Sequence, residues 1–251
     1  MANKLSSLAL AAVILLSVTA VTRTNAAPGD LDTTFGIMGQ VQDTRMETIH
    51  DTLVQPDGKI VVVGSTFHNP TPSTSVIAPA ITRYNTDGSL DYGFGNEGWV
   101  IIDNVSEYGA FYGLTIQSDG KLIAVGTNRP SALVVRFNSD GTYDTTFSGD
   151  GKLAFNFPGA NHTGSHVTEV AIIPNSDKIL VAGHVEYTYY LNEDCDNAGL
   201  ARINANGTFD STFGTLGKRL VDTQESQVSS MAIHPGNKKI ALTFTIWTDD
   251  F

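Results

Sequence analysis

Three arginines recur at one position of a repeated phrase, and they are the first candidates for shared chemistry in this chain. They are Arg83, Arg136 and Arg202. Guanidiniums brought together from equivalent repeats could line a channel that attracts anions. Alternatively, each arginine pairs with the aspartate eight residues further on and holds its repeat together. We favour this pairing and keep the three arginines as candidate binding residues. The aspartates are Asp91, Asp144 and Asp210.

A second candidate group is a tyrosine-rich segment beside several acidic residues. Tyr187, Tyr189 and Tyr190 shortly precede the sequence EDCD. Aromatic rings next to carboxylates suit contact with a carbohydrate or a protein, but they would also suit an exposed strand extension with aromatic packing. The segment belongs to one of three insertions that differ between repeats, at 68–75, 127–131 and 186–197. Loops on a rigid scaffold are where binding residues collect.

Metal ligands are not predicted by the spacing of the acidic residues and histidines. Oxygen-bearing side chains alternate at 85–91 and 138–144, as they do in calcium loops, but no glutamate follows at the spacing of the helical calcium loop. Asn and Asp before Gly also form turns, so we predict turns and keep Ca²⁺ as the alternative. His162 and His166 lie in GANHTGSH, which we predict to be a glycine-rich loop, so no helix aligns them as zinc ligands. No metal or other cofactor is therefore predicted.

The net charge and the remaining reactive residues argue against a nucleic-acid-binding protein and indicate no catalytic motif. The formal net charge is −11, without the clustered Lys and Arg that nucleic acids and anionic membranes require. The single cysteine, Cys195, lies in the acidic segment LNEDCDN, which opposes formation of a thiolate. The sequence contains no G-x-S-x-G nucleophile elbow and no glycine-rich phosphate loop. We therefore expect no nucleic-acid partner and predict no catalytic residue.

The elements that position these residues follow from an internal repeat. A phrase centred on phenylalanine occurs as LDTTFG, LDYGFG, YDTTFSG and FDSTFG. Its central residues are Phe35, Phe94, Phe147 and Phe213, which lie 59, 53 and 66 residues apart. A period of this size is typical of repeat architectures. The predicted repeats are approximately 31–89, 90–142, 143–208 and 209–251.

Each repeat contains short apolar runs that are bounded by turn residues. Runs rich in Val, Ile and Leu flank PDGK at 56–59 and SDGK at 118–121, and an Asp-Gly pair suits a tight hairpin. No sustained helical period follows the N-terminal stretch. Four short antiparallel strands per repeat predict an all-β fold, a β-propeller-like array of about four four-stranded blades. The last blade is incomplete, because the sequence stops after IALTFTIWTDDF.

The order of LDTTFG, QPDGKIVVVG and ITRYNTDGSLDYGFG resembles the delta-60 repeat family of bacterial secreted and surface proteins. The resemblance extends over 31–251, although PNSDK and HPGNKK replace PDGK in the third and fourth repeats. It implies propeller blades and a bacterial envelope or extracellular setting. The family has no common activity, so the resemblance transfers no catalytic residue.

Residues 1–26 have the composition of a secretory signal peptide. Lys4 precedes an apolar stretch at 8–21, which is too short for a comfortable membrane span, and small residues lead to Ala26. No cysteine lies near this position, so a lipoprotein is not expected. An uncleaved anchor is the alternative. We expect a secreted or periplasmic mature chain, 27–251, without membrane insertion after signal cleavage.

These features predict a secreted bacterial repeat scaffold that binds a protein or carbohydrate surface. The alternative is a propeller-type hydrolase or lyase, which would require polar groups from several blades to converge at the central channel.

The incomplete fourth repeat leaves three interpretations open: an imperfectly closed four-bladed ring, an open arc that pairs with another chain, or the truncated product of a longer gene. An open arc would self-associate through its C-terminal edge strand at 240–247, unless 28–35 supplies a closing strand.

Overall fold

A computed structural model describes residues 29–71, 73–105, 108–159, 162–188, 194–221 and 226–246. Over these ranges the fold is all-β, with antiparallel sheets of four, four, four and two strands, and the predicted β-propeller-like array is confirmed. No helix within the same ranges is long and apolar enough to cross a membrane. The predicted signal peptide, 1–26, lies outside them.

The sheets follow one another along the chain, and we call them blades 1 to 4. Blade 1 consists of β1 (Thr48–Val54), β2 (Ile60–Thr71), β3 (Thr74–Tyr84) and β4 (Trp99–Ile101). Blade 2 consists of β5 (Gly109–Ile116), β6 (Leu122–Asn128), β7 (Ser131–Phe137) and β8 (Lys152–Phe155). Blade 3 consists of β9 (His162–Ile172), β10 (Ile179–Thr188), β11 (Asp194–Ile203) and β12 (Lys218–Val221). Blade 4 consists of β13 (Ser226–Ile233) and β14 (Ile240–Ile246).

The turn between the first two strands of each blade requires a left-handed residue. Gly58 and Gly120 supply it in blades 1 and 2, with φ of 83° and 85°. Glycine adopts this conformation without steric cost. In blades 3 and 4, Asn175 and Lys238 adopt it instead, with φ of 58° and 56°. The departures from PDGK therefore change the residue that makes the turn while the hairpin itself is kept.

The first strand of each blade carries a β-bulge, which leaves one residue unpaired with the second strand. These residues are His50, Tyr112, Thr168 and Ser229. In blades 1 to 3 a glycine faces the bulge and allows the two backbones to approach closely; a Cβ on Gly126, for example, would lie 1.9 Å from the carbonyl oxygen of Ala110. Bulges re-aim side chains, and here they direct several toward the space between the first strands.

The hydrophobic core lies between neighbouring blades rather than within one of them. Separate apolar clusters join blades 1 and 2, blades 2 and 3, and blades 3 and 4. Three of the four central phenylalanines, Phe94, Phe147 and Phe213, enter these clusters, and Phe94 and Phe147 are fully buried. Burying such a ring stabilises the fold by roughly 1.5–3 kcal/mol. The blades therefore depend on their neighbours for stability, as repeat proteins do.

Blade 4 differs from the other three blades in coverage. In β14, half-buried Ile240, Leu242 and Phe244 alternate with exposed Ala241 and Thr243. One face of blade 4 therefore packs on blade 3, and the other is exposed. Residues 29–35 form turns and irregular structure. The suggestion that 28–35 forms a closing strand is wrong for the described part, 29–35, because the Phe35 N–H donates to the carbonyl oxygen of Asp32 within a turn.

Candidate binding site at the variable end of the blades

The two ends of the blades carry different kinds of sequence. Because neighbouring strands are antiparallel, successive hairpins alternate between the ends. The hairpins between second and third strands lie at one end, and they contain the three segments that differ between repeats, 68–75, 127–131 and 186–197. We call this the variable end. The opposite end carries the recurring turns and phenylalanine phrases, and we call it the repeated end.

Arginine–aspartate pairs occupy the repeated end of blades 1 to 3. In every pair the arginine Nε lies 2.7 Å from a carboxylate oxygen; the pairs are Arg83–Asp91, Arg136–Asp144 and Arg202–Asp210. A lysine from the first hairpin reaches the same carboxylate at 2.8, 3.2 and 2.5 Å; these are Lys59, Lys121 and Lys178. The predicted pairing of each arginine with its aspartate is therefore confirmed.

All three arginines also contact the phenylalanine of the repeated phrase, and two of them contact the next blade. Arg83 donates to the carbonyl oxygen of Ser139, and Arg136 donates to that of Ala205 at 2.5 Å. Each guanidinium also lies 4.6–4.9 Å from a ring centre, which suits a cation–π contact. These rings are Phe94, Phe147 and Phe213. The three arginines thus lie on third strands within the scaffold, and a role for them in binding a ligand stays a prediction.

The paired aspartates are ionised at neutral pH. Burial raises the pKa of Asp144, but hydrogen bonds from Thr146 and Lys121 and the charge of Arg136 outweigh it and lower the pKa to about 2. In Asp91 the same balance of burial against cationic partners lowers the pKa. The pKa of Asp210 is lowered chiefly by the hydrogen bond from Lys178. Each aspartate therefore remains a carboxylate facing two cations.

The segments that resemble calcium loops use their side-chain oxygens in turns. Asp87 Oδ1 accepts from the backbone nitrogen and the hydroxyl of Ser89, at 2.9 and 2.6 Å. Asp140 does the same with Thr142, at 3.0 and 2.7 Å. The turn interpretation accounts for these residues, and Ca²⁺ stays the alternative.

At the variable end, polar and aromatic side chains of blades 2 and 3 converge. We call them the variable-end cluster: Tyr108, Tyr112, Arg129, His166, His184 and Glu186. Arg129 Nη2 donates to Glu186 Oε1 at 2.7 Å, and its guanidinium lies 5.8 Å from the centre of the Tyr108 ring. The hydroxyl oxygens of Tyr108 and Tyr112 lie 3.3 Å apart. The Arg129 side chain remains 46% exposed, so the cluster opens to solvent there.

Two histidines form the inner part of this cluster. His166 on β9 pairs directly with His184 on β10, and their rings are nearly parallel with centres 4.9 Å apart. His166 Nε2 lies 2.9 Å from Glu186 Oε1, and this contact lowers the pKa of the Glu186 carboxyl. Burial, and then the charge of His166, lower the pKa of His184 to about 4. His184 is therefore neutral at neutral pH.

The prediction of a loop at GANHTGSH is wrong for its second half, because β9 begins at His162. The long hairpin of β10 and β11 provides a strand for this segment to pair with. Sequence reasoning missed the pairing of His166 with His184, because strand register across a bulge carries no sequence signal.

The predicted tyrosine group is only partly within the described residues. Tyr187 lies in β10, where its backbone pairs with Cys195 of β11. Tyr189 and Tyr190 lie outside the described residues. A binding surface made of these three tyrosines stays a prediction.

A further polar group lies between the first strands. A cavity of about 260 Å³ is bordered by His50 and Asp51 of blade 1, Tyr112 of blade 2, and Thr168 and Glu169 of blade 3. Burial raises the pKa of Glu169, and the nearby charge of Asp51 adds to the rise. Residues of three blades therefore converge here. Sequence reasoning missed them, because the bulges that direct His50, Tyr112 and Thr168 are not visible in the sequence.

Comparison with known proteins supports this architecture. Residues 55–94, 117–147 and 175–213 match a family model described as "Domain of unknown function (DUF5122) beta-propeller". A search of curated proteins finds no match. Each matched segment runs from the first hairpin of a blade through the arginine to the phenylalanine phrase. The fold and these matches define a β-propeller repeat protein, whereas the delta-60 name stays a prediction.

Proposed function

We propose that this protein is a secreted bacterial repeat scaffold whose variable end binds a protein or carbohydrate surface. One observation carries the proposal: the three segments that differ between repeats lie at the same end of neighbouring blades. Two of these segments, 127–131 and 186–197, supply Arg129 and Glu186 to the variable-end cluster, in which Arg129 contacts Tyr108 and Glu186. A rigid repeat scaffold with divergent hairpins at one end suits recognition.

The chemistry of the cluster suits such a partner. Tyrosine and arginine are the side chains that most often dominate binding energy at interfaces, since they combine apolar area with hydrogen-bond donors. Tyr108 is half-buried and Arg129 is exposed, so a ligand can reach both. An aromatic ring beside a guanidinium and a carboxylate can pack against a sugar ring and bond to its hydroxyls. It can equally hold an extended peptide.

Binding of the purified chain to an array of bacterial, plant and animal glycans tests the proposal. We expect Arg129→Ala to weaken binding at least tenfold, because it removes the exposed donor of the cluster. Tyr92→Ala is the matched control, since Tyr92 is 73% exposed at the repeated end. Binding that Tyr92→Ala abolishes and Arg129→Ala leaves intact would place the ligand at the wrong end and contradict the proposal.

The secreted location rests on residues 1–26 and has its own test. Fractionation of the producing cell should recover the protein from the periplasm or the medium, with an N-terminus near Ala27. An intact N-terminus in the cytosol would refute this part of the proposal.

Self-association through the C-terminal edge is also part of the proposal. In the described residues β14 pairs only with β13. An edge strand with free backbone groups favours pairing with another chain. Light scattering of the purified chain should then show a dimer or larger species. Ala241→Lys with Thr243→Lys, both at exposed positions, should restore a monomer. A monomeric unmodified chain would contradict this expectation.

A hydrolase or lyase is the second candidate, favoured by the cavity between the first strands. A carboxyl group with a raised pKa, Glu169, lies there near the carboxylate of Asp51, and such a pair suits general acid–base catalysis. Hydrolysis of chromogenic glycosides would support it if Glu169→Gln removed the activity. Activity that persists in Glu169→Gln would exclude this cavity as its source.

A further inference from the structure

We propose that His166, His184 and Glu186 form a binding site for a divalent transition metal ion, with Zn²⁺ as the best fit. This inference does not depend on the proposed binding function. One ligand atom from each of the three side chains lies within 4.8 Å of the other two. The sequence predicts no metal site at His162 and His166; in the structure His166 meets His184 on the neighbouring strand instead.

Strand geometry explains why the three side chains share one face. His166 and His184 are direct cross-strand partners on β9 and β10. Glu186 follows His184 by two residues, and alternate residues of a strand point to the same face. Nitrogen and oxygen ligands of a tetrahedral zinc ion lie about 3.3 Å apart, so side-chain rotation alone can close the remaining distance.

Space for the carboxylate is provided by a glycine. Gly164 is the partner of Glu186 across the two strands. A Cβ at this position would lie 2.8 Å from Glu186 Oε2 and 3.5 Å from His166 Nε2. Any larger residue would therefore enter the space that the proposed metal ligands border.

An unsatisfied nitrogen gives an independent reason to place an ion here. His184 Nδ1 is buried, and it has no hydrogen-bond partner among the residues that the structure describes. The His166 side chain is only 5% exposed, and its Nε2 faces Glu186 Oε1 at 2.9 Å. Buried polar atoms are nearly always paired, since an unpaired one costs free energy. A metal ion gives His184 Nδ1 the partner that it lacks.

The donor set selects the kind of ion. Two imidazoles and one carboxylate form the protein ligands of open zinc sites, which leave a fourth position for water or another ligand. Ca²⁺ and Mg²⁺ prefer oxygen ligands, so they fit poorly. Arg129 already holds Glu186 Oε1 at 2.7 Å and therefore competes with a cation for this carboxylate. Metal binding and the Arg129–Glu186 ion pair should oppose each other.

Calorimetric titration of the purified chain with ZnCl₂, after treatment with a chelator, tests the site. We expect one equivalent to bind, and Glu186→Gln to weaken it at least tenfold. Arg129→Ala should tighten binding, because it removes the competing cation. His234→Ala is the matched control, since His234 is exposed at the turn of blade 4 and should bind as the unmodified chain does.

The histidine variants complete the test. His184→Ala and His166→Ala should each abolish binding, and circular dichroism establishes whether they are folded. If these variants do not fold, the visible absorption of Co²⁺ bound to the unmodified chain is measured instead. A tetrahedral site of nitrogen and oxygen ligands should give intense visible bands. Absence of binding below millimolar Zn²⁺, equal affinity in Glu186→Gln, or loss of binding in His234→Ala would each overturn the proposal.

Discussion

The repeated end and the variable end of the blades are built from the same strands, but they differ in how their charged groups are satisfied. At the repeated end, Asp144 faces both Arg136 and Lys121, and equivalent groups recur in two other blades. At the variable end, Arg129 and His166 share a single oxygen of Glu186. A contact that recurs in blades 1 to 3 stabilises the scaffold, whereas a cluster that occurs once and leaves a buried nitrogen unpaired can gain from a bound ligand.

The largest expected effect is on packing at the repeated end. Phe147→Ala should lower the free energy of unfolding by roughly 3–5 kcal/mol, because it empties a fully buried position between blades 2 and 3. Tyr108 is half-buried at the variable end, so Tyr108→Ala should lower the free energy of unfolding by well under half of that amount. Urea denaturation followed by circular dichroism measures both. Equal costs would show that the two ends contribute alike to stability.

Breaking an ion pair should also lower the free energy of unfolding more at the repeated end than at the variable end, but both losses should be smaller than that of Phe147→Ala. Arg136→Ala leaves the buried carboxylate of Asp144 with Lys121 alone, and we expect a loss of roughly 1–3 kcal/mol. Arg129→Ala breaks an ion pair whose arginine is 46% exposed, and such pairs contribute about 0–1 kcal/mol. Urea midpoints compare the two variants directly. An unchanged midpoint in Arg136→Ala, together with loss of a bound anion, would favour the channel hypothesis for the arginines.

Lowering the pH should reduce the free energy of unfolding gradually, and by less than the two preceding substitutions at the repeated end, Phe147→Ala and Arg136→Ala. The pKa of Asp144 is about 2 in the folded chain and 3.8 ordinarily, so its stabilising contribution is complete above pH 3.8 and is lost as the pH falls toward 2. Asp144→Asn should therefore lose less stability than the unmodified chain between pH 4 and pH 2. Urea midpoints across this range provide the measurement. Identical pH dependence would show that the carboxylate is not coupled to folding.

Repetition explains which features could be predicted from the sequence. Arg83, Arg136 and Arg202 recur with their aspartates, so one structural solution explains three observations, and the prediction of ion pairs was confirmed. The turns around Gly58 and Gly120 were predictable for the same reason, since Asp-Gly has a strong conformational preference.

The residues of the variable-end cluster do not recur from repeat to repeat, so the sequence carried no signal that they would meet. His166 and His184 meet only because β9 and β10 pair in one particular register, interrupted by a bulge. Arg129 and Glu186 come from different blades, so their contact depends on how blade 2 packs against blade 3. GANHTGSH contains two glycines, which indicated a loop, but a neighbouring strand extended it. Local propensity cannot anticipate such tertiary pairing.

The contact from one blade's arginine to the next blade bears on how such chains can lengthen or diverge. Arg83 and Arg136 each reach a backbone carbonyl of the following turn, at Ser139 and Ala205. A carbonyl is present whatever the side chain, so the turn can change its sequence without losing this bond. Gene duplication can therefore add or exchange a blade while the hairpins at the opposite end diverge freely. The acceptor of this bond between repeats is a backbone atom, which no substitution in the turn removes.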